Sequence, residues 1–135
     1  MKTNGDGAGG KAKADGKHKE LTEKIIGAAY AVHNALGYGF VEKVYENALR
    51  VELEEGGLSV EQQAPVDVRY RGKLVGEYVA DMVVDGKVIV EAKAVSELAK
   101  EHEVQLVNYL KATGIEVGLL INFGRKVEVR RRVLD

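Results

Sequence analysis

The sequence predicts an α/β domain, a mixed β-sheet flanked by helices, with elements in the order α-α-β-β-β-β-α-β-β. Three observations carry that expectation. Two segments of helical period stand first, each closed by glycine. The run Val88-Ile89-Val90 is apolar at consecutive positions, as a central strand covered on both sides requires. A further helical segment separates that run from a second strongly apolar strand, Val117–Phe123. This order of elements suits a layered α/β or α+β domain.

Residues 1–19 are mostly Gly, Lys, Ala and Asp, with no large apolar residue after Met1. They bury too little surface to offset chain entropy, so a disordered arm over 1–19 and one domain over 20–135 are expected. From there Leu21, Ile25, Ala28, Ala29, Val32 and Leu36 follow a helical period, and Gly37 suits its end. A second helix is expected from about Val41 to Glu55. Its apolar stripe would be Val41, Val44, Ala48, Leu49 and Leu53, with a stop at Gly56-Gly57. Strands at Leu58–Ala64 and Val66–Tyr70 are separated by the only proline, Pro65, which suits an edge or a bend. Arg71-Gly72 reads as a turn. Leu74–Val84 and Val88–Ala94 are strands on either side of the turn signal Asp85-Gly86. A helix over about Glu97–Thr113 faces the core with Leu98, Leu106 and Leu110 and is closed by Gly114. Val117–Phe123 and a last strand, Val127–Val133, complete the domain.

Apolar residues make up 45% and charged residues 30% of 135, ordinary values for one soluble domain. With no cysteine, the chain has no disulfide, thiolate metal site or cysteine nucleophile. That absence fits a cytoplasmic protein. No apolar run reaches the ~18–20 residues of a membrane span, and the lysine-bearing start lacks the apolar core of a secretory signal. Net charge is −1. The first twenty residues carry five lysines against three acids, so the rest is more acidic than the whole. A footprint for a phosphate backbone must therefore be local. The candidates are Arg69, Arg71 and Lys73, and the tail with Arg125, Lys126, Arg130, Arg131 and Arg132. Solvated strand edges are the plainer reading of both.

Asp81 and the run Glu91-Ala92-Lys93 carry the chemistry. Each lies towards the end of a strand, and the two strands are joined by a turn. Carboxylates are the hard oxygen donors that Mg²⁺ prefers. Asp81 and Glu91 could be such ligands, with the main-chain carbonyl of Ala92 as a third. Glu91 and Lys93 are two apart on a strand and share a face. Lys93 could orient a water or neutralise charge developing on phosphate. Register is the test. A two-residue Asp85-Gly86 loop pairs Val84 with Lys87 and puts Asp81 on the face opposite Glu91. The site requires a three-residue loop, Asp85 to Lys87, or a bulge near the turn, Asp81 or Glu91. The plainer reading of Glu91 and Lys93 is an edge-strand ion pair, which the surrounding Val-Ile-Val run opposes.

On the second helix Glu42, Tyr45 and Glu46 share one face, either solvated or supplying a third carboxylate. On the later helix His102, Gln105 and Tyr109 form a polar stripe that could hold a carboxylate, a phosphate oxygen or a base. His102 reads as a half-exposed helix residue. No phosphate-binding loop, Ser/His/Asp set or zinc spacing is present.

Gly39-Phe40-Val41-Glu42-Lys43-Val44-Tyr45 reads as GxxExxY. Asp81 and Glu91-Ala92-Lys93 follow, then Gln105-Leu106-Val107-Asn108-Tyr109, which reads as QxxxY. Together, over about residues 20–125, they resemble the small GxxExxY proteins assigned to the PD-(D/E)XK nuclease superfamily. The segment Gly118–Gly124 also resembles that group. The resemblance implies a restriction-endonuclease-like core and Mg²⁺ or Mn²⁺ held by Asp81 and Glu91. It implies a catalytic lysine at Lys93 and a helix acid at Glu42 or Glu46. Gln105 and Tyr109 would support the metal site and the strand. Ala80 stands where the pattern has proline.

The expectation is thus a metal-dependent nuclease acting on nucleic acid, DNA before RNA, better gripped by a homodimer. The competing expectation is a catalytically silent module that binds nucleic acid or protein on a nuclease fold. Intact Asp81, Glu91 and Lys93 oppose the latter, because three charges held together are costly without a use.

Overall fold

The computed structural model describes residues 16–135. Most of the expected arm, residues 1–15, lies outside the described residues. The elements are α1 (Lys19–Leu36), α2 (Glu42–Glu55), β1 (Val60–Tyr70), β2 (Lys73–Val84), β3 (Val88–Lys93), α3 (Lys100–Thr113), β4 (Val117–Phe123) and β5 (Val127–Val133). Their order is the expected one, with the two short strands around Pro65 joined into β1. Proline is tolerated there because β1 is an edge strand and a missing N–H breaks no inner ladder.

The five strands form one sheet in the order β1-β2-β3-β4-β5. All neighbours are antiparallel except β3 and β4, which are parallel. A parallel pair cannot be joined by a tight turn, and α3 supplies the crossover. The central strand β3 is buried on both faces, as Val88-Ile89-Val90 required.

One face of the sheet packs on α1 and α2. Ile25, Ala29, Leu49 and Leu53 meet Val84, Val90, Leu119 and Phe123. The other face packs on α3, where Leu106 and Leu110 meet Val83, Ile89 and Leu120. Leu119 and Leu120 are fully buried on opposite faces. Burial of such a side chain contributes about 1.5–3 kcal/mol relative to exposure. Gly118 fixes how closely α3 approaches: a Cβ there would stand 2.7 Å from Leu106 Cδ1.

Two sequence expectations need correction. The buried stripe of α2 is Tyr45, Glu46, Leu49 and Leu53, whereas Val41 and Val44 are exposed. The helix is turned so that Tyr45, its largest side chain, enters the core. Its ring stacks on Phe123 with centroids 4.9 Å apart, and its hydroxyl donates to Gly37 O at 2.7 Å. The third helix begins at Lys100 rather than Glu97. Ala99 N–H donates to His102 Nδ1 at 3.1 Å, which satisfies one of the free donors at the helix start. Among the described residues no helix is long and apolar enough to cross a membrane.

Candidate active site

The β2–β3 hairpin sets the register of the acidic residues. Val84 pairs with Val88, so three residues, Asp85 to Lys87, form the loop. Asp85 and Gly86 both have positive φ, 53° and 66°. Lys87 N–H donates to Val84 O at 2.9 Å. Asp85 also ties the loop to the start of β1: its Oδ1 accepts from Ser59 N–H at 2.8 Å and from Ser59 Oγ at 3.1 Å. The extra loop residue brings Asp81 level with Glu91 rather than with Val90.

The backbone ladder between β2 and β3 runs only as far as Met82 and Val90. Beyond it, side chains take over the donors. Asp81 N–H donates to Glu91 Oε2 at 2.7 Å, and Ala92 N–H donates to Asp81 Oδ2 at 2.7 Å. Each carboxylate caps the strand that carries the other. Among the described residues, Asp81 Oδ1 and Glu91 Oε1 accept no hydrogen bond from protein.

The same level is irregular on the other side of β2. Pairing between β1 and β2 passes from Gln62–Met82 to Ala64–Ala80 and omits Gln63 and Asp81. Gln63 has φ 53°. Side-chain alternation changes phase here. Met82 and Val84 face α1 and α2, whereas Ala80 packs with the α3 side. Strict alternation would put Ala80 and Met82 on one face.

Electrostatics reflect this crowding. Burial pushes the Glu91 carboxyl up to about 8, and the charge of Asp81 adds to the rise. Burial also raises Asp81, to about 6, against the Ala92 hydrogen bond that lowers it. The charges of Glu46 and Glu42 raise Asp81 further, and Lys93 pulls both residues back down. Glu42, Glu46, Asp81, Glu91 and Lys93 therefore share one electrostatic neighbourhood. Glu46 is only 2% exposed. Its Oε2 accepts from Gln62 Nε2 at 2.7 Å, Gln63 Nε2 at 3.1 Å and Lys43 Nζ at 3.2 Å. Tyr45, on the same helix, is not part of this group: its hydroxyl is taken by Gly37 O and Phe40 N–H.

Lys93 is half-buried, and among the described residues it forms no ion pair within 4.0 Å. It lies opposite Asn122 in the parallel β3–β4 register. The buried amide of Asn122 grips the chain just beyond, accepting from Val95 N–H at 2.9 Å and donating to Val95 O at 2.8 Å. Gly124 leaves room for that loop, since a Cβ there would meet Val95 O at 2.9 Å.

From α3, Tyr109 reaches the acidic pair. Its hydroxyl pKa is raised by burial first and by the charges of Glu91 and Asp81 next. Its ring lies 6.0 Å from that of Tyr78. Gln105, Asn108 and Tyr109 line a groove of about 1280 Å³ between α3 and the β1–β2 hairpin, with Tyr78 and Arg69 on the far wall. Asp81 and Glu91 are not among its lining residues, so the groove meets the acidic pair through Tyr109. His102 serves the helix start instead.

The basic candidates divide. Arg69, Arg71 and Lys73 are exposed at the tip of the β1–β2 hairpin, where Arg71 lies over the Tyr70 ring. The tail arginines are engaged: Arg130 with Glu128 and Glu103, Arg132 with Glu103, and Arg131 with Lys17 O. They stand on β5, the opposite edge of the sheet from β1.

Among the described residues no three Asp, Glu, His or Cys side chains are grouped closely enough to enclose a metal ion by themselves. The pair Asp81–Glu91 still suits a hard cation. It offers two free carboxylate oxygens whose mutual repulsion a positive ion would relieve. Lys43, Gln62 and Gln63 had no distinguishing signal in the sequence, whereas Asn122 lay in the family-like segment 118–124 with no role attached to it. Only the three-residue spacing of Lys43 and Glu46 on a helix foreshadowed one contact.

A family model described as the PD-(D/E)XK nuclease superfamily matches residues 19–133. No curated protein matches the chain. The crystal structure of SSO0001 is similar in fold, with a TM-score of 0.56 at 20% identity. The match covers 87% of this chain, which spans 60% of the length of that one. An alkaline exonuclease from Laribacter hongkongensis gives a TM-score of 0.47 at 12% identity, over 79% of this chain and 76% of that one.

Proposed function

The chain belongs to the PD-(D/E)XK nuclease superfamily, and from that premise we propose a metal-dependent nuclease of the GxxExxY type that hydrolyses phosphodiester bonds, in DNA before RNA. The observation that carries the reading is the reciprocal pair Asp81–Glu91, each with one free oxygen, with Lys93 on the same face of β3. Members of the superfamily typically use divalent metals. Asp81 and Glu91 would hold Mg²⁺ or Mn²⁺. The Ala92 carbonyl would join them, since a strand residue turns its N–H and C=O to the same side and the Ala92 N–H already points to Asp81. A bound divalent ion would polarise a phosphoryl oxygen and lower the pKa of a water.

The protein groups do the rest. Lys93 donates to charge developing on the phosphate and orients the attacking water. Glu46, with Glu42 at the helix start, adds negative charge beside Asp81. Gln105 and Tyr109 present neutral donors where the groove meets the acids. Their role is to hold the strand in line. The exposed Arg69, Arg71 and Lys73 would meet the phosphate backbone outside the site, and a homodimer and a cytoplasmic setting fit the same reading.

The silent-module reading draws on one observation, the acidic balance of the chain. Calorimetry with Mn²⁺ on wild type and Asp81→Asn separates the two, with plasmid, single-stranded DNA and RNA cleavage alongside. Binding lost in the variant, with cleavage by wild type, supports the nuclease. No binding at millimolar Mn²⁺ leaves the fold and favours the silent module.

A further inference from the structure

Gln62 and Gln63 are consecutive residues of an edge strand, so their side chains belong on opposite faces. Both nevertheless donate to one atom, Glu46 Oε2, at 2.7 and 3.1 Å. The left-handed φ of Gln63 makes this possible. Such a conformation costs a non-glycine residue of order 1–3 kcal/mol and persists only where its surroundings impose it. It also interrupts the ladder opposite Asp81, so one backbone irregularity serves two carboxylates from different elements.

The rest of the contact is over-determined. The Gln62 amide can take only one orientation. Its Nε2 also donates to Asn47 Oδ1 at 3.0 Å, and its Oε1 accepts from Arg50 Nη1 at 3.0 Å. Gln63 has no such network and is exposed. Its contact with Glu46 is the one hydrogen bond its side chain makes among the described residues. A fully buried carboxylate needs donors of this kind to replace the hydration it has lost. Glu46 retains Oε1, which receives only a 3.3 Å contact from Lys43.

We infer that Gln63 is a positioning residue: its amide, delivered by a left-handed strand position, fixes the Glu46 carboxylate beside Asp81 and so sets the geometry of the metal and substrate site. The inference rests on the nuclease reading. Gln63 touches neither substrate nor metal and acts through Glu46. Gln62 anchors the same oxygen but also braces α2 against β1 through Asn47 and Arg50. Gln63 can therefore be altered with less effect on packing.

The experiment uses Gln63→Gly and Gln63→Glu in the full chain. Glycine accepts the left-handed backbone without strain and removes only the amide. Glutamate keeps the shape but replaces the donor with a like charge. Both should bind Mn²⁺ more weakly by calorimetry, and both should lose about 10–100-fold in kcat with KM nearly unchanged, as loss of a group orienting a site carboxylate does. Gln63→Gly should melt no lower than wild type, which separates positioning from a structural role. Wild-type Mn²⁺ affinity and kcat in Gln63→Gly overturn the role of Gln63 and leave the nuclease reading intact. A wild-type protein that neither binds Mn²⁺ nor cleaves overturns both.

Discussion

The two ends of β2 live in different environments. The end that enters the β3 hairpin is enclosed: Met82 and Val84 are fully buried between the sheet and α1–α2. The end that leaves the β1 turn is open, with Val75 62% and Val79 48% exposed and Tyr70 and Leu74 beside them. Asp81 sits at the border. On the enclosed side, ladders and packing fix every residue. On the open side, the two strands pair mainly with each other, and Tyr78 reaches across to Tyr109 of α3. The lesson is where a chemical site can be placed. Unpaired backbone donors are needed to orient the carboxylates, and rigid neighbours are needed to hold them. Only the border supplies both.

The largest effects should come from the border itself. Asp81→Asn keeps an acceptor for Ala92 N–H but removes a charge. It should lower cleavage by at least about 10³-fold, the size expected when a metal contribution of several kcal/mol is lost. Wild-type cleavage by this variant would move the chemistry elsewhere. Lys93→Ala, one strand further into the enclosed side, should lower kcat by about 10²–10³-fold with the fold retained by circular dichroism. A wild-type rate there removes the lysine from the mechanism.

The enclosed side is sharpened next. Gly118→Ala forces Leu106 and α3 away from β4 and should destabilise by about 1–3 kcal/mol in urea titration. It should also reduce activity, because α3 carries Tyr109. The border then has its own pH signature. Glu91 and Asp81 hold their protons more tightly folded than unfolded. Stability present in acid is therefore lost as pH rises from about 4 towards about 8. In metal-free buffer Glu91 should govern most of the fall, because it is the more deeply buried and the more strongly raised of the two. Asp81→Asn should lessen it, since the burial of Glu91 remains, and a profile that rises with pH would contradict the crowding. The smallest effect belongs to the open side. Val79→Lys should change stability by less than about 0.5 kcal/mol. A larger loss would mean that the hairpin is covered in solution, and sedimentation would show by how many copies.

The sequence revealed the enclosed half well. Helical period, glycine stops and the Val-Ile-Val run are local signals, and they located α1, the central strand and the crossover. The acidic pair was legible only conditionally. Asp85-Gly86 marks a turn but does not say whether Lys87 belongs to the loop, and one residue decides which face Asp81 occupies. What stayed hidden depends on contacts between distant segments. The rotation of α2 follows from Tyr45 meeting Phe123, far along the chain. The clamp on Glu46 follows from a left-handed glutamine, a conformation that residue type does not favour. The tail arginines read as a free basic patch because Glu103, on another element, cannot be assigned to them from spacing.

The crossed hydrogen bonds of Asp81 and Glu91 also bear on how this site could be lost over generations. Each acid substitutes for a missing rung, so an apolar replacement strands a backbone N–H at the sheet's interior end. Amides of the same shape strand none. A lineage released from its chemistry should therefore drift first through Asn at 81 and Gln at 91, and reach Ala or Val late. Among relatives, the identity of a retired site would record how long ago it fell silent.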